Sequence, residues 1–245
     1  MTLTRTNANF TQTSHTLIHA LRDERTSQAA AAELMQIYWP AVYAFLRRRG
    51  HDREAAAETA QAFFVIKLVE GDLFHRFDAS RGRLRNLILR SLKNYVIDAH
   101  RLQGRARQSN LPDLPLTPEH EEHRSIQSPD ETFEQRWAVA QLEEAIRRCR
   151  TYFVNAGKEC HWKAFEERVY SPSVYCSQPT PLEELAARLG FKNAATAAAA
   201  VQLVRRRVVV FLREIVNDTV SDPANAEDEF DHAVRALRPR GEHKR

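Results

Sequence analysis

The chain has 245 residues, 43% of them hydrophobic and 28% charged, with a formal net charge of +4. That length supports one large packed domain or two small ones, and it holds no run near the roughly 20 apolar residues a membrane-spanning helix needs. Seven glycines, an abundance of Ala, Leu, Arg and Glu, and few alternating apolar runs predict an all-α fold. The polar start from Met1 to Thr13 lacks a secretory apolar region, so a cytoplasmic location is expected.

Charge is unevenly spread. Between Arg76 and Arg107 nine bases face only Asp78 and Asp98, a net +7, which marks a candidate polyanion contact. From Gln108 to Arg136 seven acids face Arg124 and Arg136, a net −5. Three cysteines, Cys149, Cys160 and Cys176, show no C-x-x-C spacing, so reduced, buried thiols are expected rather than a disulfide or a zinc site with His161.

In chain order, a short helix is predicted near Ser14 to Glu24, and a second from about Gln28 to Arg49. Its stripe is Ala31, Leu34, Tyr38, Val42, Phe45 and Leu46; Pro40 should kink it and Gly50 end it. A third starts after Asp52, carries Phe63, Phe64 and Leu68, and stops at Gly71. The fourth has the clearest period, with Leu84, Leu87, Ile88, Ser91, Leu92, Tyr95, Val96 and Ala99 on one face. Arg83, Asn86, Arg90, Lys93, Asn94 and Arg101 fall on or beside the opposite face, as a nucleic-acid contact or a solvated ridge.

Leu111 to Pro129 contains four prolines and no apolar period, which reads as a flexible acidic linker. His120 and His123 flank two glutamates there, better read as solvated than as metal ligands. Trp137, Leu142, Ile146, Cys149 and Phe153 predict a helix ending at Gly157, and Trp162, Phe165 and Val169 another before Pro172. Thr180 with Glu183 reads as a capping box opening a helix that Gly190 ends, and a further helix follows Asn193. Helix, tight turn, helix is the outline of a DNA-binding helix-turn-helix, and also of plain helical hairpins. The final bases Arg235, Arg238, Arg240, Lys244 and Arg245 suggest a cationic end.

Two blocks together resemble the extracytoplasmic-function sigma factors of bacterial RNA polymerase. In the first, YWPAVYAFLRRRG (Tyr38 to Gly50) precedes EAAAETAQAFF (Glu54 to Phe64), similar to the family's D-L-T-Q-E-x-F signature with Glu58, Gln61 and Phe64 at matching places. RGRLRNLILRSLKNYVID (Arg81 to Asp98) resembles R-G-x-F-R-x-W-L-x-x-I-x-x-N-x-x-x-D, matched by Arg81, Gly82, Arg85, Asn94 and Asp98. In the second block, LEELAARLGF and VRRRVVVFLREIV (Val204 to Val216) resemble region 4. Departures are Ala62, Leu87 and the run Ala194 to Ala200, broken only by Thr196, at the start of the recognition helix. Alanine offers bases only a methyl group.

The resemblance implies two small helical domains: a region 2-like bundle over 14–107 and a region 4-like helix-turn-helix over 178–218. An acidic linker (108–130) and a helical insert (131–171) join them, and a charged tail (219–245) follows. It implies core RNA polymerase and promoter DNA as partners, an anti-sigma factor or other regulatory protein as a further one, and no membrane contact. Glu58, Gln61 and Phe64 would meet polymerase, although Phe63 or Phe64 could equally be core. Arg81, Arg83, Arg85, Asn86, Arg90, Lys93, Asn94 and Arg101 would meet the −10 element, and Gln202, Arg205, Arg206 and Arg207 the −35 region. No catalytic residue, cofactor or metal is implied. The sequence lacks a phosphate-cradling glycine loop, a G-x-S-x-G elbow and an H-E-x-x-H pair, all of which speak against an enzyme. Two other readings are a sigma-fold interaction protein that does not read −35 DNA, and a stand-alone helix-turn-helix regulator.

Overall fold

The computed structural model describes residues 25, 27–69, 83–108, 127–217 and 225–238, and it is all-helical, with no strand among those residues. The helix expected near Ser14 to Glu24, Arg81, Gly71 and most of the linker lie outside the described residues. The chain forms two compact units: Met1–Val139 together with Asn217–Arg245, and Ala140–Val216. The first therefore takes in chain from both sides of the second, which a linear reading of domains does not contain.

The first unit opens with α1 (Ser27–Arg48). Leu34, Tyr38, Ala41, Val42, Phe45 and Leu46 are buried along it at helical spacing. The helix runs as one element through Pro40, whose exposed position lets water serve the carbonyl that loses its helical donor. It ends as expected at Gly50, with φ +95°, and the His51 N–H closes the end by donating to the Leu46 carbonyl at 3.2 Å. Helix α2 (Arg53–Phe64) starts at Asp52, whose carboxylate accepts the Ala55 N–H at 2.8 Å, and continues into a π-turn over Val65–Val69. Phe63 and Phe64 are both core. Phe64 stacks on Trp39 at 6.0 Å, and Phe63 meets Tyr95 edge-on at 5.7 Å.

Tyr95 belongs to α3 (Leu84–Gln108). Leu84, Ile88, Ser91, Leu92 and Val96 are its buried stripe, as its period predicts. Helix α4 (Pro129–Asn155) begins just inside the Pro-rich stretch. Its start is set by a reciprocal cap: the Glu131 N–H donates to Ser128 Oγ at 3.2 Å and the Ser128 N–H to Glu131 Oε2 at 2.9 Å. Pro129 fits there because a first-turn residue has no intrahelical acceptor to lose. Phe133, Trp137 and Ala138 are buried from this part of α4. The C-terminal stretch, where composition suggests a cationic end, holds α9 (Ala226–Leu237), with Glu229, Phe230 and Ala233 buried.

In the second unit, α4 contributes Ala145, Cys149 and Phe153 to the core and turns at Gly157, φ +67°. Helix α5 (Glu159–Phe165) passes through a π-turn at Glu166–Tyr170 into the short α6 (Ser171–Tyr175), so the chain stays helical across Pro172, which sits in α6's first turn. Helices α7 (Leu182–Leu189) and α8 (Ala194–Asn217) form the helix-turn-helix outline. The capping box expected from Thr180 is not formed. Pro181 holds the cap position without a side-chain bond, while the Thr180 N–H donates to the Glu167 carbonyl at 3.4 Å and its carbonyl accepts from Arg168 at 3.0 Å. Gly190, φ +76°, ends α7 as expected, and α8 is capped by Asn193, whose Oδ1 accepts the Thr196 N–H at 2.9 Å.

Candidate nucleic-acid interface

The exposed side of α3 carries Asn86, Arg90, Asn94 and Arg101, each three or four residues from the next except for one full double step, so they form a row along the helix. Arg90 has no ionic partner among the described residues, and Arg101 lies 3.9 Å from Asp98 in a pair exposed on both sides. Such a row can hold phosphates by charge and offer two side-chain amides to sugar or base edges.

Arg83, Arg85 and Lys93, at the start and middle of this stretch, are paired with acids. Arg85 is only 3% exposed and Glu229 of α9 only 1%. The guanidinium donates from Nε to Glu229 Oε1 at 2.9 Å and from Nη2 to Oε2 at 3.1 Å, a fork-on-fork contact. Its Nη1 donates to Glu134 of α4, and its Cζ lies 4.9 Å from the centre of the Trp137 ring. Glu134 also has His232 Nε2 at 3.0 Å. Arg83 completes the group with Nη1 2.7 Å from Glu229 Oε2. Lys93 pairs with Asp130.

Burial opposes the charge on Arg85, but Glu229 and Glu134 outweigh it and raise the guanidinium's pKa. Burial likewise opposes ionisation of Glu134, yet His232 and Arg85 overcome it and hold the carboxyl below its ordinary value. The Tyr38 hydroxyl is pushed well above its usual range, mostly by burial, with Arg85 opposing and Glu229 adding to the rise. The Tyr38 hydroxyl and the Trp137 indole N–H are buried together beside Arg85, and the indole N–H also opposes the rise. This is a charged core joining α3, α4 and α9, and Arg85 is not available on the ridge.

Among residues matched to a polymerase contact, Glu58 and Gln61 are exposed on α2, whereas Phe64 is core and supports that helix from beneath. In the second unit Gln202, Arg205 and Arg206 are exposed on α8. Arg207 is half-buried: its guanidinium lies 4.5 Å over the Tyr152 ring and donates to the Tyr152 hydroxyl at 3.2 Å. The exposed start of α8 offers Ala195, Thr196 and Ala199, with Leu203 a turn further on.

The acids Asp130, Glu134, Asp228 and Glu229, with His232, carry much of this geometry and do not stand out in the sequence, while Trp137 stands out there only as a helix-packing residue. A usable signal existed for α9, since Phe230, Ala233, Val234 and Leu237 follow helical spacing within the charged stretch. No group of three metal-ligating side chains meets among the described residues. The Cys149 thiol is pushed up to about 11 by burial, partly countered by Arg207, and is held as an inert core group. No helix of the described residues is long and apolar enough to cross a membrane. Comparison of the chain with protein-family models, with curated proteins and with solved structures finds no match.

Replacing Arg85 by methionine removes the guanidinium between Glu229 and Glu134 and leaves the buried Glu229 with Arg83 alone; breaking a buried pair costs about 3–5 kcal/mol, and urea denaturation should show a loss of that order. Because the folded Glu134 titrates below its unfolded value, its contribution is present above roughly pH 4.3 and lost as pH falls through the lower folded value. Stability measured against pH should therefore drop below about pH 4, and Glu134→Gln should flatten that drop.

Proposed function

We propose that this chain is a transcription initiation factor of the extracytoplasmic-function sigma type, acting in the cytoplasm without catalysis of its own. It binds core RNA polymerase and brings promoter DNA to it. The observation that carries the reading is the exposed row Asn86, Arg90, Asn94 and Arg101 on α3, on the stretch whose residues resemble the family's promoter-melting region. An exposed Arg90 between two exposed asparagines suits single-stranded or distorted DNA, where charge fixes the backbone and amides meet splayed bases.

Three further features support it. Glu58 and Gln61 stand exposed on α2, where the resemblance puts the polymerase contact. The α7–α8 pair has helix-turn-helix form, with Lys192 exposed in the turn and Gln202, Arg205 and Arg206 exposed on the second helix. These side chains can grip phosphates of a −35 element. An anti-sigma factor or another regulatory protein remains a partner that the resemblance implies.

A second reading has its own observation. The exposed N-terminal surface of α8 is mostly methyl groups, from Ala195 and Ala199, which discriminate bases poorly. A sigma-fold adaptor that binds polymerase without reading −35 DNA fits that surface. Multi-round transcription with purified core polymerase on fragmented genomic DNA separates the two: sharp RNA starts sharing upstream elements support the sigma factor, and polymerase binding without specific starts supports the adaptor.

Two substitutions address the surfaces separately. Arg90→Ala should weaken promoter binding and reduce the slope of log affinity against log salt by about one, because one phosphate contact and its released counterion are lost. Glu58→Lys should reduce capture by core polymerase while circular dichroism shows an unchanged fold.

A further inference from the structure

Three cations of α3 are met by acids that arrive from two distant stretches of chain. Asp130 and Glu134 come from the first turns of α4 and reach Lys93 and Arg85. Asp228 and Glu229 come from the first turn of α9 and reach Arg83 and Arg85. The contacts are of two kinds. Arg85 with Glu229 is closed off from water, and a pair so placed does not exchange for an outside ligand without opening the unit. Lys93 with Asp130 is 42% and 45% exposed, and Asp228, 3.9 Å from Arg83, is 76% exposed. Solvent-facing pairs of this kind are weak and exchange readily for another anion.

We propose that Asp130 and Asp228 form a built-in acidic strap that occupies Lys93 and the outer Nη2 of Arg83 in place of nucleic-acid phosphates and lowers the affinity of α3 for DNA. This inference rests on the proposed nucleic-acid role of the α3 ridge. The buried Arg85–Glu229 contact is its anchor: it fixes the first turn of α9 against α3, so that Asp228 stands beside Arg83 at a high local concentration. The cap formed by Ser128 and Glu131 does the same for Asp130 by fixing where α4 begins. Arg90 and Arg101 stay outside the strap and give the ridge a first foothold. Phosphates arriving there then displace the two aspartates: Lys93 is freed outright, while Arg83 keeps Nη1 on Glu229 and offers only the Nη2 that faced Asp228. On this account DNA is bound in two stages, weakly at the open end and fully only after the carboxylates yield.

The test compares the full chain with the Asp130→Asn/Asp228→Asn variant in binding fluorescent single-stranded and duplex DNA over a range of salt. The variant should bind several-fold more tightly at low salt, with a salt slope steeper by about one for Lys93 and by less for Arg83, whose Nη1 stays on Glu229. Lys93→Ala should cost little in the native chain and weaken binding in the Asp130→Asn background. Asp231→Asn, an exposed position of α9 that meets none of these cations, makes the same single charge change and should leave binding almost unaltered. Equal affinity and slope for the native chain and the double variant, while both still direct transcription with core polymerase, would overturn the strap and leave the proposed function standing. If neither directs transcription and neither binds DNA, that function falls and the strap with it.

Discussion

A guanidinium out of water sits at the centre of the first unit, and the arrangement of α3, α4 and α9 depends on keeping it neutralised. An unpaired charge so placed would cost several kcal/mol or more, and Arg85 cannot escape that cost by losing its proton. Carboxylates must therefore come to it. Glu229 supplies both oxygens, Glu134 a third contact, and Trp137 the face on which the group rests. A pair of this kind adds little net stability over an apolar core of equal volume, but it is strict about geometry. Only one rotation of α9 and one start of α4 bring both acids to the same guanidinium.

That strictness explains why the basic ridge is not simply basic. Of the cations counted on α3 from sequence, Arg85 is a core group, Arg83 and Lys93 are held by neighbouring acids, and Arg90 and Arg101 keep their exposure. Periodicity distinguishes an apolar face from a polar one, but it cannot tell a solvated arginine from one that turns into an ionic core. Arg85 directly follows Leu84, at the edge of the apolar stripe, and a long side chain at an edge can go either way.

Much of the helical outline was legible in the chain. The stripe of α3, the stripe of α1 and the stops at Gly50 and Gly190 follow from spacing and from the conformational freedom of glycine at positive φ. Other features were hidden by competing signals. Four prolines read as a linker as far as Pro129, yet Ser128, Pro129 and Glu131 make an efficient helix start. Thr180 with Glu183 has the form of a capping box, but the backbone of Thr180 is engaged by Glu167 and Arg168. Terminal bases masked the apolar spacing of α9. In the candidate site, exposure of Glu58, Gln61, Asn86, Arg90 and Asn94 agrees with a surface role, whereas Phe64 is drawn inward by Trp39 and Phe63. The acids that answer the ridge could not be paired with it from sequence, because they lie far along the chain from the bases they meet.

Arg85 and Glu229 are separated by 144 positions, and this distance has a bearing on the order of synthesis. While the ribosome makes the chain, α1, α2 and α3 emerge long before the residue that completes the ionic core, and the whole second unit must be translated in between. A contact so remote adds loop-closure entropy that local contacts do not. Until α9 leaves the exit tunnel, the guanidinium of the nascent first unit has Glu134 within earlier reach but lacks the two oxygens of Glu229. Chains cut short before Glu229 would lack the closing carboxylate and expose the apolar side that Phe230 and Ala233 cover. Such chains would present the exposed apolar surface on which proteases and chaperones act.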